Sequence, residues 1–532
     1  MSDHPTIGDT LEQTVDRYPD RDAIIYPRKD QHWTYAEFNE RVNRLANALL
    51  EAGIETGDRV ATVLYNGSEM ALTVYACAKI GAVFTPLNFR LPAGEIEYIV
   101  NDAEAKMVLF ESETREAVEG ARPSLESVAE YVFTDDDRED ADGPEYARGF
   151  YDLLESGSAE RPDVRVDEDD VYAFIYTSGT TGRPKGVVHE HRDMVEHNLL
   201  CIAEMNLTRD DVGLSMMPLY HCAELHCNLF ARVHRGAANV IHHEFEPEAV
   251  LEAIEDRDVT VLFAAPTAWN ALSMTAAEMD VDLSSLRLGL YGAAPMPEQV
   301  LENCMKHLCE EYVQAYGMTE IGPAGIFQSA ADQLPKQGSA GLPGLNHELR
   351  IVEPDADPDQ VVERGEIGEI LIASPCTMRE YWNRPEATAQ SLREADGTTW
   401  YYTGDLGYRD DDGYLYVVDR KDDMIVSGGE NVYPAEVEDV LFTHDAVEEA
   451  AVVGEPDEEW GETVAAYVVA AGVDAAALDE FILESDRLAD FKRPRTYYFV
   501  DELPKNPSGK IQKFKLREDE AGLEPESETV AS

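Results

Sequence analysis

The chain has 532 residues, too many for one ordinary core, so we expect two or more domains. Its hydrophobic content of 44% is normal for a folded protein, which excludes a disordered chain despite the formal net charge of −63. That charge argues against general binding of nucleic acid or of an anionic membrane surface, because both would repel the chain.

Membrane and export signals are missing from the sequence. No apolar run is as long as a membrane span, and the N-terminus lacks the basic and apolar pattern of a signal peptide. The seven cysteines are odd in number and scattered, with no paired CxxC, which indicates free thiols in a reducing compartment. We therefore expect a cytoplasmic protein with no integral membrane segment and no nucleic-acid partner, and a homodimer is left open.

Predicted helices and strands alternate along the first hundred residues. Thr34 and Glu37 have the spacing of a capping box, which starts a helix that Gly53 ends. The elements predicted next are a strand at 59–64, a helix at 69–80 and strands at 83–87 and 107–110. This alternation predicts a largely parallel sheet with helices on its faces. From Glu111 to Asp170 the chain is acidic and irregular, which indicates a solvated loop.

A loop without acidic residues follows the predicted buried strand at 171–175. Residues 176–186 (YTSGTTGRPKG) contain three glycines, the hydroxyl residues Thr177, Ser178, Thr180 and Thr181, and Lys185. Freed backbone N–H groups, hydroxyls and a lysine together form a cradle for phosphate. The spacing is not that of the common P-loop, which needs Lys directly after the second Gly. The alternative interpretation is a polar surface loop.

The alternation resumes after this loop and then changes. Three predicted strands end in small or polar residues at His221, at Gly292-Ala293 and at Tyr316, which is where open α/β sheets usually bind ligands. From about Gly338 the pattern is one of short β segments and turns. We expect an α/β protein with a large multi-subdomain N-terminal domain at 1–420, which has mostly parallel sheets and a β-rich subdomain. A small mobile α/β domain at 421–517 and a disordered acidic tail at 518–532 would follow.

Six motifs in order resemble the signature of the adenylate-forming (AMP-binding) superfamily, within it the acyl-CoA synthetases or fatty acid–CoA ligases. They are YTSGTTGRPKG at 176–186, YGMTE at 316–320, YTGDL at 402–406, DRKDD at 419–423, SGGEN at 427–431 and KNPSGK at 505–510. The likeness covers essentially the whole chain. It implies that a carboxylate attacks the α-phosphate of Mg²⁺-bound ATP to give an acyl-adenylate, and that the thiol of coenzyme A then displaces AMP.

The resemblance also implies roles for individual residues. Lys510 would stabilise the charge on the carboxylate and α-phosphate during adenylation, Thr319 would bind the α-phosphate, and Glu320 would bind Mg²⁺ through a hard oxygen ligand. His221 resembles the aromatic gate of the acyl pocket; taken alone, it could equally be a core residue or a metal ligand. Asp422 aligns with the hinge about which the small domain rotates.

Nucleotide and coenzyme A contacts follow from the same resemblance. The pyrophosphate loop matches Thr177, Ser178, Gly179, Thr180, Thr181, Gly182 and Lys185. Gly292, Ala293 and Tyr316 would contact adenine, and Asp405 with Arg420 would bind the ribose hydroxyls. Gly428 and Gly429 would leave room for the pantetheine chain of coenzyme A.

The acid itself is less well defined. The expected pocket, near 220–225, Trp269, 291–295 and 317–322, is mostly apolar or small and offers no obvious cation for a second carboxylate. This favours a medium- or long-chain fatty acid as the substrate. The orientation of Glu224 cannot be known from the sequence. Short-chain and aromatic acids remain alternative substrates. The alternatives are transfer of the acyl group to a carrier-protein thiol, a noncatalytic nucleotide-binding regulator, and a phosphoryl-transferring NTPase.

The composition also suggests adaptation to high salt. Lysine is scarce, at 12 of the 43 basic residues, and four of the twelve lie between Lys505 and Lys515. At molar salt the screening length falls to about 3 Å, so an acidic surface no longer repels itself strongly. The alternative is an acidic enzyme from ordinary salt. The halophilic hypothesis predicts that activity and melting temperature fall in dilute buffer; full activity and an unchanged melting temperature there would contradict it.

Overall fold

The structure is a computed structural model that describes residues 4–135, 143–177, 183–428, 430–457, 460–483, 485, 488–505, 511–517, 521, 523 and 526–530. The chain divides into two compact units. The first unit comprises the described residues up to Thr177, then Pro184–Leu349 and Ile372–Tyr401. The second comprises Arg183, Arg350–Leu371 and the described residues from Tyr402 onward. The domain limits expected from the sequence, 1–420, 421–517 and 518–532, stay a prediction.

The helices begin at residues suited to helix starts. Thr34 accepts a hydrogen bond from the Glu37 amide and Glu37 bonds back to the Thr34 amide, so the predicted capping box is confirmed. The helices are α1 Ile7–Arg17, α2 Tyr35–Glu51, α3 Ser68–Ile80, α4 Ala93–Asp102, α5 Arg115–Ala121, α6 Phe150–Ser156, α7 His191–Glu204, α8 Ala231–Arg235, α9 Pro247–Arg257, α10 Pro266–Ala276, α11 Glu298–His307, α12 Pro385–Ser391, α13 Pro434–Leu441, α14 Ala475–Leu483 and α15 Lys513–Arg517. A π-helix, Ala223–Phe230, leads directly into α8. No described helix is both long and apolar enough to span a bilayer.

The strands match most of the predicted ones. They are β1 Asp22–Tyr26, β2 Gln31–Thr34, β3 Arg59–Val63, β4 Val83–Pro86, β5 Met107–Glu111, β6 Glu130–Thr134, β7 Arg148–Gly149, β8 Val171–Thr177, β9 Lys185–Glu190, β10 Val212–Ser215, β11 Ala238–Ile241, β12 Val261–Ala264, β13 Leu288–Gly292, β14 Tyr312–Tyr316, β15 Ile326–Gln328, β16 Leu342–Pro343, β17 Glu348–Val352, β18 Gly368–Ala373, β19 Glu380–Tyr381, β20 Leu392–Ala395, β21 Thr398–Arg409, β22 Leu415–Arg420, β23 Ile425–Ser427, β24 Glu430–Val432, β25 Val447–Asp457, β26 Gly461–Ala470, β27 Thr496–Phe499 and β28 Glu526–Thr529.

Two large sheets form the first unit. One has nine strands in the order β16-β15-β14-β13-β12-β10-β11-β1-β2, and the other has eight in the order β19-β9-β8-β4-β3-β5-β6-β7. The inner strands of both are parallel, and antiparallel strands are confined to the edges. The parallel strands therefore end at a shared edge of each sheet, where the segments that carry Gly292 and Thr319 begin.

The second unit contains shorter sheets. There β21 lies beside β18 and pairs antiparallel with β22. A separate six-stranded sheet has the order β24-β23-β26-β27-β28, with β25 paired to β26. Its core includes Val437, Val452 and Val468. The predicted fold class, a large N-terminal α/β part with a small C-terminal α/β part, is confirmed.

Two expectations about irregular segments were wrong. The acidic stretch from Glu111 to Asp170 contains α5, β6 and α6, because scattered apolar residues such as Val118, Phe133 and Leu153 are buried there. The most acidic part of that stretch, residues 136–142, lies outside the described residues. In the tail, β28 pairs antiparallel with β27, so residues 526–529 are not disordered.

Many of the scarce lysines neutralise carboxylates within each unit. Lys29 pairs with Glu69 at 2.8 Å, and both side chains are 5% exposed. Lys79 pairs with Glu12 and donates to the Asn43 side chain at 2.7 Å. Further ion pairs involve Lys106, Lys421, Lys492, Lys505 and Lys513. The lysines kept by this acidic chain therefore serve largely as counter-charges for carboxylates.

One ion pair is completely buried. Arg232 donates to Glu224 at 2.9 Å and to the Ser215 hydroxyl at 2.7 Å, and the two charged side chains are at most 1% exposed. A Cβ atom at Gly213 would lie 2.2 Å from Cδ of Arg232, so glycine leaves the room that this guanidinium occupies. The orientation of Glu224 is thus defined: its carboxylate faces Arg232 inside the core.

Removing one partner of this pair should destabilise the protein strongly. Arg232→Met leaves Glu224 buried without a counter-charge, which we expect to cost about 3–5 kcal/mol. Burial raises the pKa of Glu224 to about 7 even beside Arg232. A raised carboxyl pKa makes the folded state hold a proton that the unfolded state releases, up to about pH 7 in the wild type and to higher pH in Arg232→Met. The difference in unfolding free energy between the two proteins should therefore grow as pH rises above about 7. The loss of stability is measured at each pH as the shift of the urea unfolding midpoint between the wild type and Arg232→Met.

Arg209→Met, at a half-exposed arginine beside an exposed aspartate, is the matched control. Equal unfolding midpoints for the two variants at each pH would contradict this role of the buried pair.

Candidate active site

The stem of the predicted phosphate loop is a β-hairpin. Strands β8 and β9 pair antiparallel, with Tyr176 opposite Gly186 and Thr177 opposite Lys185. A Cβ atom at Gly186 would lie 3.0 Å from the Tyr176 ring, so the strands pack closely there. The predicted loop residues Ser178, Gly179, Thr180, Thr181 and Gly182 lie outside the described residues.

A hydrogen-bond network holds this stem. The Asp102 carboxylate accepts from the Tyr176 hydroxyl at 2.8 Å and from Arg384 at 2.7 Å. Arg384 also donates to the Tyr98 hydroxyl, which donates to the Pro184 carbonyl at 3.1 Å. Both ends of the loop are therefore tied to α4, which fixes their spacing.

Tyr381 links the loop lysine to the predicted metal ligand. Strand β19 places Tyr381 opposite Val187 of β9. The Lys185 ammonium lies 4.3 Å from the centre of the Tyr381 ring, and the Tyr381 hydroxyl donates to Glu320 at 2.7 Å. Burial, and then the charge of Glu320, raise the pKa of Tyr381, so its hydroxyl stays a neutral donor. A cation and a carboxylate from two distant motifs are thus brought to one place.

The turn that contains Thr319 and Glu320 is held on both sides. It is a 3₁₀ helix, Thr319–Ile321, that follows the end of β14. His189 donates to the Thr319 carbonyl at 2.7 Å, and the Met378 amide donates to the Glu320 carbonyl at 2.8 Å. The Thr319 hydroxyl lies 3.1 Å from the Cys222 sulfur. This contact places Thr319 beside the turn that carries His221.

Separate contacts orient the side chains of Glu320 and His221. The bond of 2.8 Å from the Met378 amide fixes the backbone of Glu320, while its side chain turns toward Tyr381. His221 is exposed, and its Nδ1 accepts from the Ala223 amide at 3.2 Å. Because Nδ1 is an acceptor in that bond, Nε2 carries the proton of the neutral ring. An exposed imidazole at this turn fits a gate better than a core residue.

The predicted adenine contacts lie on two neighbouring strands. Gly292 ends β13 and pairs with Ala315 of β14, one residue before Tyr316. A Cβ atom at Gly292 would lie 2.6 Å from the Ala315 carbonyl oxygen, so no side chain fits there. Ala293 has φ of 67°, in the left-handed region, which turns the chain sharply at the end of the strand. Gly292, Ala293 and Tyr316 are therefore brought together.

The second unit holds the predicted ribose and hinge residues. Asp405 and Arg420 lie opposite each other on β21 and β22, with Arg420 donating to Asp405 at 2.6 Å. The Asp422 carbonyl accepts from Arg517 at 2.8 Å. Gly428 has φ of 61°, and its amide donates to the Trp460 carbonyl at 2.8 Å. Gly429 and Lys510 lie outside the described residues, so their roles stay predictions.

Sequence patterns alone did not indicate several residues of the candidate site. Tyr381, Arg384 and Asp102 belong to none of the six motifs. The pairing of β19 with β9 brings Tyr381 and Arg384 to the site, and Asp102 lies there at the end of α4. Trp269, by contrast, was expected in the acid pocket but is fully buried in the core. Its indole donates to the Leu290 carbonyl at 2.8 Å.

Comparison with known proteins identifies the family. The family profile of the AMP-binding enzymes matches residues 11–382, and that of the AMP-binding enzyme C-terminal domain matches residues 436–510. The chain is 38% identical to a feruloyl-CoA synthase of an Amycolatopsis species, over 91% of this chain and 93% of the relative. It is 36% identical to the long-chain-fatty-acid–CoA ligase FadD13 of Mycobacterium tuberculosis, over 98% of this chain and 99% of the relative.

A solved structure agrees with these matches. It is the O-succinylbenzoate coenzyme A synthetase of Bacillus subtilis in complex with ATP and magnesium ion, which superposes with a TM-score of 0.82 at 33% identity. The match covers 95% of this chain and 98% of that protein. With both family profiles matched in order, and with relatives above 30% identity along nearly the whole length, the chain belongs to the AMP-binding enzyme family.

Proposed function

We propose that the protein is an AMP-forming acid–CoA ligase that activates a carboxylic acid with ATP and passes the acyl group to coenzyme A. The observation that carries the proposal is the grouping of Lys185, Tyr381 and Glu320. It sets a cation for phosphate beside a carboxylate oxygen suited to Mg²⁺. Support also comes from the relatives, whose names are those of acid–CoA ligases.

The chemistry needs positioning more than covalent help. Lys185 and the loop it closes hold the pyrophosphate that leaves, while Thr319 binds the α-phosphate at which negative charge gathers. Glu320 holds Mg²⁺, which neutralises phosphate charge when bound. Lys510 stabilises the charge that develops as the acid attacks. In the second unit, the Asp405 carboxylate accepts hydrogen bonds from the ribose hydroxyls, and the hydrogen bond from Arg420 keeps that carboxylate oriented.

Thioester formation is assigned to other residues of this chain. Asp422 is the hinge about which the small domain turns, and Gly428 with Gly429 leaves room for the pantetheine chain. His221 is the gate to the acid. The neutral His221 ring has its proton on Nε2. It can therefore rotate at the entrance to the acid pocket without moving a charge.

The acid is proposed to be an apolar monocarboxylic acid, with a medium- or long-chain fatty acid preferred. Glu224 and Arg232 neutralise each other in the core, so neither offers a charge to a second carboxylate. An aromatic acid is the second candidate, and the likeness to a feruloyl-CoA synthase favours it equally. Transfer to a carrier-protein thiol stays an alternative for the second step.

A cytoplasmic location is proposed on the state of the cysteines. All seven are free, and six of them are buried, as expected in a reducing compartment. The homodimer and the adaptation to high salt stay predictions.

Removing the Tyr381 hydroxyl should weaken adenylation. In Tyr381→Phe, Glu320 loses the donor that orients it, and we expect a loss of about 10-fold in Mg²⁺ affinity or in the rate of pyrophosphate release. Release is measured over a range of Mg²⁺ concentrations. Tyr408→Phe, which removes a tyrosine hydroxyl from β21, is the control. Identical Mg²⁺ curves for the two variants would argue against the role of Tyr381.

Lys510 should matter only in the first half-reaction. Lys510→Ala removes a positioned cation, so adenylation should slow by about 10²–10³-fold, while supplied acyl-adenylate should still react with coenzyme A. Lys306→Ala, at an exposed position on α11, is the control. Near-normal pyrophosphate release by Lys510→Ala would remove Lys510 from the proposal.

A panel of acids tests the proposed substrate. Acyl-CoA formation from acetate, octanoate, palmitate, ferulate and 2-succinylbenzoate, followed by mass, should be fastest with one of the two longer fatty acids. Preference for ferulate would favour the aromatic alternative. Acyl transfer only to a carrier-protein thiol would contradict coenzyme A as the acceptor.

A further inference from the structure

A second group of potential ligands lies at the carboxyl ends of strands from both large sheets. Glu111 is the last residue of β5, Glu113 follows two residues later, and His243 comes two residues after β11. One donor atom from each residue lies within 4.8 Å of the other two. All three residues belong to the first unit. None of them belongs to the motifs assigned to ATP or to coenzyme A.

The imidazole of His243 is oriented as in metal-binding histidines. Nδ1 lies 3.2 Å from the Asn66 carbonyl oxygen, which can only accept, so Nδ1 carries the proton. The Tyr26 hydroxyl, 3.1 Å from the same nitrogen, can accept from it as well. The ring also stacks on Tyr65, with centroids 4.8 Å apart. Nε2 is left with its lone pair and lies 3.5 Å from an oxygen of Glu113. A backbone carbonyl that fixes the tautomer in this way is a usual partner of a metal-ligating histidine.

Nε2 of His243 makes an ion-pair contact but no hydrogen bond in the described residues. The side chain is 8% exposed, and within the described ranges Nε2 has no hydrogen-bond partner. An oxygen of Glu113 lies 3.5 Å from it. A buried polar atom without a partner usually costs free energy, which a bound ion would offset.

The charges around the group also leave a carboxylate uncompensated. Arg28 donates to Glu113 at 2.9 Å, and Lys29 pairs with Glu69. Glu111 accepts the amides of Tyr65 and Thr114 but has no ion-pair partner in the part of the chain that the structure describes. Glu111 is part-buried, and a carboxylate withdrawn from water without a counter-charge is a usual ligand of a metal ion.

We propose that Glu111, Glu113 and His243 bind one divalent transition-metal ion of the zinc type. Two carboxylate oxygens and one imidazole nitrogen form a donor set that suits Zn²⁺, with water in the fourth position, and the nitrogen argues against Mg²⁺ or Ca²⁺. The ion would join the loop after β5 to the loop after β11.

The site would also brace the turn that carries the gate residue. The Asn66 carbonyl holds His243, and the Asn66 side chain accepts from the Leu219 amide at 2.7 Å and donates to the Met217 carbonyl at 2.9 Å. Leu219 lies two residues before His221. The ion is therefore structural, and it stabilises the segment that leads to His221 without contacting the reacting groups.

Cobalt binding tests the site without reference to catalysis. Untagged full-length protein, stripped with a chelator and kept free of nucleotide, is titrated with Co²⁺ and followed by visible absorption and calorimetry. We expect one ion per chain, with no thiolate charge-transfer band and a rise in melting temperature. Glu111→Gln, Glu113→Gln and His243→Gln should each bind at least about 10-fold more weakly.

Two control variants distinguish this site from other groups of the chain that could hold the ion. Glu116→Gln, at an exposed acid on α5, should bind like the wild type. The Cys201→Ser/Cys227→Ser double variant should also bind normally, which separates the site from the thiol cluster around His197. Glu113→Gln changes a side chain that is 36% exposed, so it should fold even if the other variants do not.

Three results would overturn the proposal. They are no Co²⁺ binding by the wild type, equal binding by wild type and Glu113→Gln, and binding that disappears in the cysteine double variant. The first two would mean that His243 serves only as an ion-pair partner of Glu113. Because no ATP or acid is present, these outcomes leave the proposed ligase activity unaffected.

Discussion

The contact on which the candidate site depends is the one that Tyr381 makes with two opposite charges. Its ring faces the Lys185 ammonium, and its hydroxyl donates to Glu320. Within the described residues, neither of these charged side chains forms an ion pair with another side chain. A direct pair would satisfy both charges internally and leave less for a ligand. With the neutral phenol between them, the cation stays available for phosphate and the carboxylate for a metal ion.

The rest of the first unit supports that contact. Strand β19 brings Tyr381 to β9, and the network around Asp102 ties both ends of the phosphate loop to α4. Parallel strands β13 and β14 end side by side, which places Gly292 close to Tyr316. Each of these strand pairings and hydrogen bonds fixes backbone positions before a ligand binds. Catalysis by positioning and electrostatics needs this kind of preorganised frame.

Much of the fold could be predicted because its periodic signals are strong. The capped helix α2, the buried strands and the small C-terminal α/β unit follow from apolar spacing and turn residues. The helices and strands between Glu111 and Asp170 were missed, because a few buried apolar residues are scattered among many acids. The π-helix at Ala223–Phe230 could not be told from an α-helix by apolar spacing alone.

The site was predictable to the extent that it lies in contiguous motifs. Glu320, Asp405 and Lys185 stand in such motifs, whereas Tyr381 and Asp102 act through pairings between distant segments. The pairing of Glu224 with Arg232 likewise could not be predicted from the sequence, because the π-helix is what brings the two side chains together. The contacts of Tyr381 and Asp102 are decided by tertiary packing, and the Glu224–Arg232 pair by the π-helical turn.

The most direct test of the central claim follows oxygen from the acid into the nucleotide. The acid is labelled in its carboxylate with a heavy oxygen isotope and is turned over with ATP, Mg²⁺ and coenzyme A. If the carboxylate attacks the α-phosphate and the thiol then attacks the acyl carbon, one labelled oxygen must remain on AMP, and unlabelled pyrophosphate must form in equal amount. Unlabelled AMP, or ADP with phosphate in its place, would contradict the proposed reaction.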